Sequence, residues 1–237
     1  MMVSYVSYHF RQMVKRVLSV YLFLCLPISI MGQTDPEYRM ELGGGIGLVS
    51  YQGDFNGNIF KNQQPMFSLL AKYKFDPRQA LALNISYGTL KGSSKYEKTY
   101  YPNITTYDFK NNVLDVGLRF EYNFWPFGTG QDYRGAKRLT PYIYIGMGIT
   151  ACKADKTEMG VNLPIGGGVK YKAADRVNVA LEWTMHISSN DCLDGISDPY
   201  GIKRSGPFKN TDCYSHLRLS LTYDIWAKCR TCHNDRD

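Results

Sequence analysis

Hydrophobic and polar residues alternate along most of this chain with a period of two. Leu217, Leu219, Leu221, Tyr223 and Ile225 share one parity, while His216, Arg218, Ser220, Thr222 and Asp224 take the other. Residues 177–188 repeat the pattern, with Val177, Val179, Leu181, Trp183, Met185 and Ile187 opposed to Asn178, Ala180, Glu182, Thr184, His186 and Ser188. Between 113 and 124, Leu114, Val116, Leu118, Phe120, Tyr122 and Phe124 alternate with Asp115, Gly117, Arg119, Glu121 and Asn123. Such alternation places the two sets on opposite faces of a β-strand. Five further segments fit less cleanly: 38–50, 66–75, 80–90, 141–152 and 163–172. No stretch carries a helical period of useful length.

Eight strands are therefore expected, most of them ten to thirteen residues long. Strands of soluble domains average about five or six residues. A bilayer asks for about nine to eleven, tilted. The connections support the same reading. Residues 76–79 and 173–176 are tight turns, whereas 92–108 and 189–212 are long and polar. Short turns at one end and long loops at the other mark outer-membrane barrels. The predicted fold is all-β: an eight-stranded antiparallel transmembrane β-barrel of OmpA or OmpW size. The turn at 125–139 is the exception, being long and basic on the short-turn side, with Arg134, Lys137 and Arg138.

The apolar face then meets lipid and the polar face fills a narrow lumen. Arg39, Glu41, Lys72, Asp115, Arg119, Glu121, Lys170, Glu182 and Arg218 fall on the lumen parity, and both signs are present. Buried charges need partners, so an internal ion-pair network is predicted. Small residues on the same parity, such as Gly43, Gly45, Ala82, Gly146 and Gly168, make room for it. Aromatics collect at strand ends, among them Tyr73, Phe75, Tyr122, Phe124, Trp125, Tyr223 and Trp226, where an interfacial girdle belongs. A lipocalin-like barrel or a β-sandwich would also alternate, but neither calls for strands this long or an outer face this apolar.

The first residues read differently. Arg11, Lys15 and Arg16 precede an apolar run, 17–31, and then Gly32 and Gln33. That is the layout of a secretory signal peptide over residues 1–32. The run is short for a bilayer helix and Pro27 interrupts it. The expected division is signal 1–32, barrel 33–226 and tail 227–237, with both termini periplasmic. The formal charge of +7 falls to about +4 without the signal, from 25 basic and 21 acidic residues. That balance does not suggest a nucleic-acid partner for an exported chain.

Export permits disulfides. Past the signal there are five cysteines: Cys152, Cys192, Cys213, Cys229 and Cys232. Cys192 and Cys213 bracket the last long loop, and a bond between them would staple it, worth about 3 kcal/mol. Cys152 stands close enough in the pattern to replace either. Cys229-x-x-Cys232-His233 matches a haem attachment motif. It sits in a charged tail with no pocket to shield a haem, and it offers too few ligands for structural zinc. An internal bond, or a mixed disulfide with a periplasmic partner, suits the odd cysteine count better. No cofactor is expected. Gly43-Gly44-Gly45-Ile46-Gly47 lies inside a strand and lacks the helix that a nucleotide loop needs. Glu182, His186 and Ser188 share one strand face and invite a hydrolase reading, but that face points inward, where a hydrogen-bonded network is the simpler assignment.

Several boxes in order carry a family resemblance: Tyr51-Gln52-Gly53-Asp54-Phe55, then Ala71-Lys72-Tyr73-Lys74-Phe75 with Asp76-Pro77-Arg78, then Asn84-Ile85-Ser86-Tyr87-Gly88 and Leu90-Lys91-Gly92. Together they resemble the PorG-type outer-membrane barrel of the type IX secretion system of Bacteroidota. The resemblance implies a non-enzymatic barrel, set in outer-membrane lipid, that anchors periplasmic ring subunits of that machine, a lipoprotein and its partner. On that reading the basic turn with Arg134, Lys137 and Arg138, and the tail with Cys229 and Cys232, make the contacts. A lipid-modifying barrel enzyme and a small barrel with no secretion role are the alternatives.

Overall fold

The computed structural model describes residues 36–52, 62–93, 108–130, 136–153, 157–188 and 213–227. Eight antiparallel strands close into a barrel in sequence order, with β1 pairing β8. They are β1 (Tyr38–Gln52), β2 (Gln64–Lys74), β3 (Gln79–Ser93), β4 (Asp108–Asn123), β5 (Leu139–Lys153), β6 (Thr157–Lys172), β7 (Val177–Ser188) and β8 (Cys213–Ala227). The expected strand count and order hold. The strands run from 11 to 16 residues, longer than the alternation alone marked. The excess lies mostly at the end away from the termini, here called the loop end. β5 and β6 reach further there than predicted, leaving only residues 154–156 between them.

The predicted faces also hold. Leu118, Ile145, Leu181 and Leu219 are exposed on the outer wall, while Glu121, Glu182, Arg218 and Asp224 are buried inside. This inverts the arrangement of a water-soluble domain, whose charges stay outside. A wall so apolar over its whole circumference is a lipid-facing surface. Tyr73, Phe75, Phe124, Trp125, Tyr223 and Trp226 are exposed at the terminal end, forming the aromatic belt.

Turn chemistry sets the registers at this end. Asp76 Oδ1 accepts the backbone N–H groups of Arg78 (2.6 Å) and Gln79 (2.7 Å), closing the β2–β3 hairpin. Two local departures from regular pairing stand out. The β5–β6 ladder skips the rungs beside Pro164, which has no N–H to donate. The β1–β8 ladder skips Arg39 opposite Trp226, whose φ of 63° is a left-handed conformation uncommon outside glycine.

Glycine is required where the wall comes closest to the lumen side chains. A Cβ added at Gly168 would stand 2.8 Å from Glu182 Cα and 2.9 Å from its Cβ. One at Gly146 would stand 2.7 Å from Arg119 Cα. These glycines give Arg119 and Glu182 the space to cross the barrel.

Candidate functional site

The lumen is filled in layers. At the loop end Val49, Tyr51, Met66, Leu90, Phe109, Val113, Cys152 and Tyr214 pack into one apolar cluster. Tyr51 and Phe109 meet edge to face at 5.0 Å. None of the lumen charges expected from the sequence falls at these positions, and the apolar plug over the mouth keeps water from the polar groups beneath it.

Below the plug Asp115 gathers donors from three other strands. Its Oδ2 accepts Tyr214 Oη (3.0 Å), Thr150 Oγ1 (3.2 Å) and Asn162 Nδ2 (2.5 Å). His186 stacks on Tyr214 at 4.4 Å and lies 4.8 Å from His216. The Nε2 atoms of both histidines have no hydrogen-bond partner among the described residues. Two voids of about 10 Å³ border this layer, each lined in part by His216 and Asp115, and each has room for one water. Ser188 and His186 are 0 % and 2 % exposed. The inward direction expected of the Glu182, His186 and Ser188 face is therefore observed, and neither His186 nor Ser188 reaches lipid.

The terminal half holds the predicted ion-pair network. Arg119 is its hub, with Nη2 2.9 Å from both Glu121 and Glu182 and its guanidinium 4.3 Å from the centre of the Tyr144 ring. Glu182 also pairs with Arg218 and accepts Tyr142 Oη at 2.5 Å. Arg218 in turn bonds Asn84. Glu121 accepts Lys72 (3.3 Å) and Lys170 (3.1 Å), and Glu41 lies 3.2 Å from Lys74. Asp224 pairs with Lys74 (2.5 Å) and Lys172 (2.6 Å). Six cations face four carboxylates in this network, so aromatic rings must accommodate the surplus.

Phe127 supplies one such ring at the terminal mouth. The ammonium groups of Lys74, Lys170 and Lys172 lie 5.9, 5.6 and 5.7 Å from its centre. Its backbone N–H donates to Pro77 O at 3.0 Å. Pairing between Pro126–Gly128 and Lys137 stiffens the segment, and Thr129 Oγ1 donates to Glu37 at 2.6 Å. The described part of the long turn thus folds back over the mouth and closes it.

Of the predicted network, Glu41, Lys72, Arg119, Glu121, Lys170, Glu182 and Arg218 meet as expected. Asp115 belongs to the separate layer above them. Arg39 is half-buried at the rim and joins no ion pair among the described residues, consistent with its missing rung opposite Trp226. Lys74, Lys172 and Asp224 belong to the network and share its parity, a signal already present in the alternation. Phe127 had no such signal, because it lies in a turn.

The predicted contact residues divide. Lys137 is exposed, its Nζ 4.8 Å from the centre of the Trp125 ring, and Arg138 donates to Thr129 O at 2.9 Å. Nearby, Arg176 donates to Tyr223 Oη at 3.5 Å; the hydroxyls of Tyr223 and Tyr38 hold its guanidinium above the usual arginine range. Arg134, Cys192, Cys229 and Cys232 lie outside the described residues, as does the segment 1–32. Cys213 opens β8 at the loop end, where the predicted staple would start.

A closed eight-stranded wall, apolar outside, belted with aromatics and packed with paired charges inside, defines a β-barrel of the outer-membrane class. The chain belongs to the family described as "Domain of unknown function (DUF6089)", whose model matches residues 15–234. A search of curated protein sequences returned no match. Among solved structures the chain is similar to Neisserial surface protein A (TM-score 0.49, 10 % identity, 78 % of this chain and 97 % of that one). It is also similar to Ail, the attachment invasion locus protein of Yersinia pestis, in complex with a heparin analogue (0.45, 10 %, 80 % and 99 %). The outer-membrane enzyme PagL is similar as well (0.38, 12 %, 78 % and 99 %). The fold assignment rests on the barrel's own closure and faces.

Proposed function

We propose that this protein is a non-enzymatic outer-membrane component of a type IX secretion machine. Its termini and short turns face the periplasm, where it holds the ring lipoprotein and that subunit's partner. One observation carries the reading: the lumen is closed at both ends, by the apolar cluster at one mouth and by Phe127 and its latched turn at the other. A barrel plugged in this way is a poor pore. His186 and Ser188, the residues that invited the lipid-modifying alternative, are sealed inside and do not face a lipid substrate. What remains for the barrel is to hold a shape in the membrane. The turn that closes the terminal mouth is a built surface that presents Arg138 to the compartment beyond. The boxes that resemble the PorG-type barrel lend the identity of the machine. Cys229 and Cys232 add a covalent or redox-stabilised contact.

Deletion of the gene is expected to abolish secretion of type IX cargo and leave lipid A unchanged by mass spectrometry. Normal secretion sinks the role, and altered lipid A restores the enzyme reading. On a non-reducing gel the wild type is expected to run partly as a higher-mass species that Cys229→Ser with Cys232→Ser removes. A monomer alone, from intact cells, rejects the covalent contact.

A further inference from the structure

Three lysines stand on the outer wall at the loop end. Lys91 on β3 shares the outward parity of Leu83, Ile85 and Tyr87. Lys110 on β4 shares that of Leu114, Val116 and Leu118, and Lys153 on β5 that of Ile145, Met147 and Ile149. All three are exposed. Lys91 pairs directly with Lys110 in the register, and Lys153 pairs with Asn112, the next outward residue below Lys110. Three ammonium groups therefore share one patch across three neighbouring strands.

This placement needs a compensating ligand. Like charges directly opposite each other on a sheet repel. None of the three lysines makes an ion pair among the described residues. The acid on the same face, Asp108, sits at the first position of β4 opposite Ser93 and pairs with none of them. The patch is also local. Toward the loop end the exposed or half-exposed outward positions on β2, β6 and β7 are Pro65, Met159, Val161 and Ile187, none of them charged.

Depth identifies the kind of anion. Phe120 starts the outward apolar band of β4 at the terminal end, and Lys110 is ten residues along the same strand. At about 3.4 Å per residue the two are roughly 34 Å apart along the strand. A strand tilt of about 40° brings that to roughly 26 Å along the membrane normal. The apolar band of an outer-membrane barrel is about 25 Å tall. The lysines thus stand where hydrocarbon ends and headgroups begin. Just beneath them Thr89 Oγ1 donates to Asn112 Oδ1 at 3.1 Å, a polar rung before the apolar band.

We propose that Lys91, Lys110 and Lys153 clamp the phosphate of a lipid A-type glycolipid in the leaflet at the loop end. The choice of that lipid rests on the orientation given under the proposed function, which puts the loop end outside. It does not need the secretion role. Three ammonium groups converging from adjacent strands suit a multiply charged phosphate, and the wall below them suits its acyl chains.

Native mass spectrometry of the full-length protein in detergent tests this, with diphosphoryl lipid A, dephosphorylated lipid A, phosphatidylglycerol and inorganic phosphate as probes. Wild type is expected to retain diphosphoryl lipid A, with affinity falling about fivefold for each lysine changed to Gln. Lys91→Arg with Lys110→Arg and Lys153→Arg keeps the charge and is expected to keep the lipid. Dephosphorylated lipid A is expected to bind weakly and equally to all variants. Unchanged retention by the triple Gln variant overturns the proposal. Equal retention of phosphatidylglycerol overturns the glycolipid, and displacement by millimolar inorganic phosphate overturns the lipid source. The heat-dependent gel shift of a folded barrel checks each variant, and Lys110→Gln alone serves if the triple variant fails to fold. Lipid retention that survives while secretion is normal on gene deletion leaves this site standing and rejects the secretion role alone.

Discussion

Glu121 receives Lys72, Lys170 and Arg119 inside the lumen, and all four side chains are buried. Removing one partner of a buried ion pair leaves charge uncompensated, at a cost of about 3–5 kcal/mol. Glu121→Gln is therefore expected to lower the unfolding free energy from urea titration in detergent by about 3–5 kcal/mol, read as a lower midpoint at unchanged slope. Lys137→Gln, on the exposed turn, is expected to stay within about 0.5 kcal/mol of wild type. Equal midpoints for Glu121→Gln and wild type would show that the network does not hold the lumen. At this scale much was legible beforehand, since parity alone put Glu41, Lys72, Arg119, Glu121, Lys170, Glu182 and Arg218 inside. Parity could not say that Asp115 would leave the cations for a hydroxyl and amide layer. That depends on its depth along β4, which register sets and alternation does not reveal.

The element that departs most from its sequence reading is the long turn between β4 and β5. Composition marked it as basic, with Arg134, Lys137 and Arg138 close together, and the family resemblance implied that it makes contacts. The fold gives its first half a different task, as Phe127 is buried over three lysines and Thr129 is tied to Glu37 ahead of β1. Turns have no hydrophobic period, so nothing in the pattern singled out Phe127. Phe127→Ala loses a desolvated cation–π contact, worth about 2 kcal/mol, together with its apolar burial. It is expected to lower the unfolding midpoint and to speed backbone hydrogen exchange at Phe127, Gly128 and Lys137. Unchanged exchange at these amides would separate the turn from the lumen it is argued to close. The strands, by contrast, were readable except at their loop ends, where residues such as Asn111 and Asn112 blur the alternation although pairing continues.

For the whole molecule the decisive property is closure. A lumen packed with a buried ion-pair network and stopped at both mouths should carry no current. In planar bilayers the purified barrel is expected to show no stable unitary conductance at moderate voltage. Steady channels would replace the anchor reading with a pore. The boxes that carry the family resemblance map onto this architecture: Tyr51 in the apolar plug, Lys72 and Lys74 in the network, Asp76 closing a turn, and Asn84 bonded to Arg218. They specify the barrel and its filling, and the machine that the barrel serves must be tested at its partners. Affinity purification of the tagged protein from crosslinked outer membranes, with and without reductant, does so most directly. The account predicts that a periplasmic lipoprotein and its ring partner co-purify, and that reductant removes part of them. Recovery of the barrel alone under both conditions would contradict it.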